Sequence, residues 1–145
     1  MTSTSKPIEI LLVEDNLGDI RLAKEAFKES KLHLNIAIAR DGDEALNYLY
    51  QKEDFAHAVK PDLIILDWNL PRISGEEVLA KVKGDSELKR IPVVVLTSSQ
   101  AQEDILRSYD LHANCYVTKP LDFEKFMAIV NAIEGFWFSI VKLAS

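Results

Sequence analysis

The sequence has a single cysteine, Cys115, set inside an apolar run, so no intrachain disulfide can form and a reducing, cytoplasmic home is expected. It has no basic stripe. Lysine and arginine total 17 against 23 acidic residues, for a net charge of −6, the wrong balance for a general nucleic-acid binder. No apolar stretch approaches the roughly 20 residues that span a bilayer, so no membrane association is expected. The aromatic stretch Phe136-Trp137-Phe138, followed by Ile140 and Val141, is far too short for that. The opening Met1-Thr2-Ser3-Thr4-Ser5-Lys6 has no apolar segment behind it, which argues against a secretory signal; residues 1–7 read as a flexible tail. His33, His57 and His112 are scattered without metal-ligand spacing, so a zinc site is not expected. Internal repeats, low-complexity tracts and linkers are also missing. One domain over residues 1–145 is the natural division.

What is present is an alternation of apolar runs and amphipathic stretches. A composition of 48% hydrophobic and 28% charged residues is that of a globular chain. Ile8 to Val13, Asn35 to Ala39, Leu63 to Leu66, Val93 to Leu96 and residues 113–118 read as strands. Between them, helical periodicity predicts a helix from Asp15 or Asn16 to about Ser30, one opened by Asp41-Gly42-Asp43, one carrying Val78, Leu79 and Val82, and one over 100–110. A long last helix follows Asp122. The first, third and fourth strands are continuously apolar, so both faces of the sheet should be covered. Five such units imply an α/β, doubly wound parallel sheet of (βα)5 type, with its ligand crevice outside the C-terminal strand ends.

Those strand ends carry the chemistry. Glu14 and Asp15 follow the first run, Asp67 the third and Thr97 the fourth; Thr118, Lys119 and Pro120 close the fifth. A carboxylate such as Asp67 can accept a phosphoryl group as an acyl phosphate. An anionic donor approaching an acidic site needs a divalent cation, and Mg2+ takes carboxylate and carbonyl oxygens of the kind Glu14, Asp15 and the backbone just beyond Asp67 supply. Lys119 and Thr97 could then pair with the phosphoryl oxygens. The Lys119–Pro120 bond is a candidate cis peptide that would turn the lysine inward. Each residue alone has a plainer account: an acidic helix cap, a strand end, a solvated lysine. All of them at strand ends together favour the chemical one.

These stretches resemble the receiver domains of two-component response regulators: ILLVEDN (10–16), DLIILDWNLPRISG (62–75), VVVLTSS (93–99) and YVTKPLD (116–122). The resemblance covers nearly the whole chain, and the spacings of 30 positions from Asp67 to Thr97 and 22 from Thr97 to Lys119 agree with it. It implies a flavodoxin-like fold of strand order 2-1-3-4-5 and a phosphoacceptor at Asp67. It also implies Mg2+, or Mn2+ or Ca2+ in its place, on Glu14, Asp15, Asp67 and the Asn69 backbone carbonyl. Thr97 becomes the switch hydroxyl, Tyr116 the aromatic that turns inward with it, and Lys119 the phosphate-pairing lysine. Asn69 and Ser99 fall where side chains tune the phosphoryl lifetime. The implied partner is a sensor histidine kinase, and catalysis is limited to the domain's own phosphorylation and dephosphorylation.

Two stretches depart from a minimal receiver. Residues 51–60 lengthen the connection before the third strand, where an extended helix or loop is expected. The last helix continues through 136–145 with apolar side chains on several faces. Phe126, Val130, Ile133 and Trp137 should give the face that packs on the sheet, and Phe136, Trp137, Phe138 and Ile140 are a candidate homodimer surface. These departures, with the opening EDNLGDIRLAKEAF, resemble stand-alone regulators that serve cyanobacterial phytochrome kinases. Two other functions remain open at this point. An aspartyl-phosphate-forming phosphatase would want an acid where Asn69 stands. A flavodoxin-like carrier would need a Ser/Thr/Gly-rich phosphate loop where Glu14-Asp15-Asn16 stands.

Overall fold

Ile8–Val13 alternates side chains to two covered faces, which is why an almost unbroken apolar run forms a strand here rather than a helix. In the computed structural model, which describes residues 7–97, 115–119 and 121–144, this strand is β1. It is followed by α1 (Leu17–Lys28), β2 (Leu34–Ala39), α2 (Gly42–Leu49), β3 (Leu63–Asp67), α3 (Gly75–Gly84), β4 (Val93–Thr97), β5 (Cys115–Thr118) and α4 (Phe123–Ala144). The strands form one parallel sheet in the order β2-β1-β3-β4-β5, as expected. The helix expected over 100–110 lies outside the described residues, as do Ser99 and Pro120.

Alternation along the strands sorts the core into two layers. Ile10, Leu12, Leu63, Ile65, Val94 and Leu96 face α1 and α4, where Phe27 meets Phe126 edge-on at 6.3 Å. Leu11, Val13, Ile64, Leu66, Val93 and Val95 face α2 and α3. Each fully buried aliphatic side chain contributes about 1.5–3 kcal/mol of transfer free energy, so the central strands anchor the sheet from both sides. On α4, Phe126, Val130 and Ile133 are buried as expected, while Phe136 is 52% exposed. The side chains of Trp137, Phe138 and Ile140 lie outside the described residues. Among the described residues no helix is long and apolar enough to cross a membrane.

Helix ends explain the small differences from expectation. α1 starts at Leu17 because the Asn16 side chain, not Asp15 or Glu14, accepts from the Asp19 N–H at 2.9 Å. It stops at Lys28, two residues short of Ser30, because the Glu29 and Ser30 N–H groups turn back to Ala26 and Phe27. Asp41 and Ser74 cap α2 and α3 in the same way. The lengthened 51–60 segment is a loop with one 3-10 turn (Glu53–Phe55), tied down by an edge contact between Tyr48 and Phe55 at 5.5 Å.

Two glycines set how closely the loops approach the strand ends. A Cβ on Gly75 would come within 2.5 Å of the Asp67 carbonyl oxygen and 2.7 Å of Trp68 Cα. A Cβ on Gly42 would lie 2.5 Å from the Ile73 carbonyl oxygen. The β3–α3 loop is therefore clasped between the start of α2 and the end of β3, and its backbone stays beside Asp67.

Candidate functional site

Pairing of the strands aligns their C-terminal ends. Val13 is level with Leu66, Asp67 with Leu96, and Thr97 with Thr118. The ladder then runs one residue further: the Glu14 N–H donates to Ala39, Trp68 to Leu96, and Lys119 to Thr97, at 2.9, 2.7 and 2.7 Å. Those bonds fix the backbones of Glu14, Asp67, Thr97 and Lys119 at one edge. Asp67 and Thr97 are the last residues of their strands rather than the first of a loop, and are almost fully buried with Glu14. Asp15 points to an exposed position.

The side chains converge on one ammonium. Lys119 Nζ lies 3.2 Å from Glu14 Oε1, 3.2 Å from Asp67 Oδ2 and 3.5 Å from Asp19 Oδ2. Backbone donors take other oxygens: the Asn16 N–H donates to Glu14 Oε2 at 3.1 Å and the Asn69 N–H to Asp67 Oδ1 at 3.1 Å. The Arg40 guanidinium donates to the Asp15 carbonyl at 3.4 Å. Burial opposes the charge on Lys119, but Asp67 and then Glu14 outweigh it, and the ammonium's pKa is raised. Burial acts in the other direction on Glu14. With the nearby Asp67 charge it pushes this carboxyl from the ordinary 4.5 up to about 7, against the Asn16 N–H and Lys119.

The Glu14 shift has a consequence for stability. Below pH 4.5 the group is neutral whether folded or not; between there and 7 the folded chain holds a proton that the unfolded chain has released. The contribution of Glu14 is therefore fully present at low pH and disappears as pH rises through 7, a loss on the order of 3 kcal/mol. Urea unfolding of divalent-free protein from pH 5 to 8 should show this fall, and Glu14→Gln should flatten it. An identical slope in that variant would count against the assignment.

Oxygens of Glu14, Asp15 and Asp67 all lie within 4.8 Å of one another. Glu14 Oε1 is buried and accepts no hydrogen bond, although the ammonium is near. An orphaned buried carboxylate oxygen among three clustered acids fits a hard divalent cation better than any packing role.

Among the described residues, the strand-end residues expected from the sequence are thus at one edge, and Glu14, Asp67 and Lys119 touch. Thr97 is buried at the same edge. The Tyr116 side chain lies outside the described residues, so its switch role stays an expectation. Asp19 and Arg40 were not singled out from the sequence. Asp19 could have been found from the helical register of α1, since a residue three beyond the cap turns back toward the strand end.

A doubly wound parallel sheet with buried acids and a lysine at its switch point defines a phosphoryl-receiving signalling domain. The sequence profile of the response regulator receiver domain matches residues 10–131, and the chain belongs to that family. It is 44% identical over 140 residues to the response regulator Rcp1 of Synechocystis sp., covering 97% of this chain and 95% of Rcp1. Superposition on the phosphorylated cyanobacterial phytochrome response regulator RcpA gives a TM-score of 0.84 at 50% identity over 93% of this chain and 96% of that one. The Mn(2+)-bound form of Rcp1 gives 0.82 at 46% identity, over 90% and 94%. Proteins of this kind are signalling proteins that accept a phosphoryl group in two-component systems, and so is this one.

Proposed function

We propose that Asp67 is the phosphoacceptor, supplied by a phytochrome-type sensor histidine kinase in the cytoplasm, and that residues 1–145 act as one receiver unit. The convergence of Asp67 and Glu14 on the Lys119 ammonium, each at 3.2 Å, carries this reading. Transfer breaks the P–N bond of the kinase phosphohistidine and forms a bond from phosphorus to Asp67 Oδ. The imidazole leaves with the electron pair and takes a proton from solvent. Glu14, Asp15, Asp67 and the Asn69 carbonyl would hold Mg2+, with Mn2+ or Ca2+ able to substitute. When bound, the cation screens carboxylates from the incoming phosphoryl oxygens. Lys119 neutralises charge on the same oxygens, and Thr97 donates its hydroxyl hydrogen bond to one of them, drawing Tyr116 inward. Relatives that carry phytochrome in their names support the choice of kinase.

With Mg2+, acetyl phosphate should label the chain at one acid-stable, base-labile site, and a phytochrome-type kinase should do so faster than kinases of other classes. No labelling with either donor, or labelling indifferent to chelation of Mg2+, would overturn the proposal.

The half-exposed Phe136, past the middle of α4, supports a homodimer built on Phe136, Trp137, Phe138 and Ile140. Sedimentation should give a dimer for the full chain and a monomer after truncation beyond Gly135. A monomer in both removes the dimer.

A further inference from the structure

Three carboxylates surround Lys119 Nζ, and they are not equivalent. Glu14 and Asp67 belong to the acidic triad whose oxygens lie within 4.8 Å of one another, whereas Asp19 stands outside it. Asp19 sits on the first turn of α1, with its N–H held by Asn16 Oδ1 at 2.9 Å and its Oδ2 3.5 Å from the ammonium. Its side chain and that of Lys119 are nearly as sheltered as each other, at 18% and 16% exposure. When a cation claims oxygens of Glu14 and Asp67, and before a phosphoryl group has reached the lysine, two of its three carboxylate partners are engaged elsewhere. A lysine stem has four rotatable bonds, and losing its partners would free it to swing into solvent.

On the reading that Asp67 receives the phosphoryl group, we infer that Asp19 is a positioning residue that keeps the Lys119 ammonium aimed into the crevice while Glu14 and Asp67 are occupied. Asp19 is not among the three acids whose oxygens cluster; it acts through the lysine. A plainer role exists, since an acid in the first turn favours the helix dipole. That role is independent of Lys119, and a double-mutant cycle separates the two.

The measurement is the rate of phosphoryl transfer from acetyl phosphate to the full chain at saturating Mg2+ and donor. In that reaction the P–O bond to acetate breaks, acetate leaves with the electron pair, and the Asp67 Oδ–P bond forms. Asp19→Asn should slow it by about fivefold, the scale of one partly sheltered ion pair. Asp19→Glu, which keeps the charge, should restore most of the rate. In a Lys119→Gln background, Asp19→Asn should change nothing further. Equal slowing in both backgrounds would reduce Asp19 to a helix-end acid. An unchanged rate would overturn the inference, and a faster rate would show that Asp19 merely repels the donor. If the wild-type chain takes no label at all, the phosphoacceptor reading fails first and this one with it; a labelled wild type with an indifferent Asp19→Asn sinks this one alone.

Discussion

Lys119→Met should destabilise the divalent-free protein by roughly 2–4 kcal/mol, because removing one partner leaves buried charge uncompensated. Glu14 and Asp67 are buried, and Lys119 is the cation found within ion-pair distance of both among the described residues. The site can respond by protonating Glu14, whose pKa already stands at about 7. The loss should therefore be smaller at pH 6 than at pH 8, where holding that proton is costly. Added Mg2+ should recover much of it, since a bound cation replaces the missing charge. Urea unfolding checks all of this: at a slope of about 1–3 kcal/mol per molar, the midpoint should fall by about 1–2 M. A midpoint unchanged from wild type would mean that the ammonium contributes no net stabilisation to the acids.

Asp67→Asn should abolish phosphoryl labelling and at the same time raise the melting temperature of the divalent-free protein. Its amide oxygen can still accept from the Asn69 N–H that now meets Asp67 Oδ1 at 3.1 Å. One negative charge disappears from a crowded edge, and with it the cause that, after burial, does most to raise the Glu14 pKa. A gain of about 1 kcal/mol corresponds to about 3–5 °C for a chain of this size. Stability is thus given up at the site for reactivity, a common arrangement in functional sites. Thermal unfolding monitored by circular dichroism, with and without Mg2+, reads the effect. The substitution should also weaken the Mg2+-dependent stabilisation. A variant that melts lower than wild type without Mg2+ would show that Asp67 is tied into the fold by more than the contacts described.

The strands were legible because continuous apolar runs with β-branched residues have few alternatives once helices separate them. Ile8–Val13 matched its expected limits, and β3 and β4 each ran one residue longer, to Asp67 and Thr97. That residue matters, since it puts Asp67 and Thr97 inside the ladder, where both are buried. Capping was less legible: Glu14, Asp15 and Asn16 are all reasonable caps, and only geometry shows Asn16 in that role and Glu14 folded inward beneath it. The clasp of Gly42 on Ile73 joins residues 31 positions apart in sequence, so no local pattern announces it. Asp19 is likewise paired with a lysine 100 positions away. The raised pKa of Glu14 depends on burial and on Asp67, neither visible in the run that ends at Val13.

The central claim is that the carboxyl of Asp67 becomes an acyl phosphate, and borohydride tests it chemically, because reduction of an aspartyl phosphate converts the residue to homoserine. The chain should be phosphorylated with Mg2+ present, reduced, digested and sequenced by mass spectrometry. Homoserine at position 67 and nowhere else is the expected result. Homoserine at position 15 or 19, or an unreduced Asp67 in a chain that carries the phosphoryl group, would contradict the account.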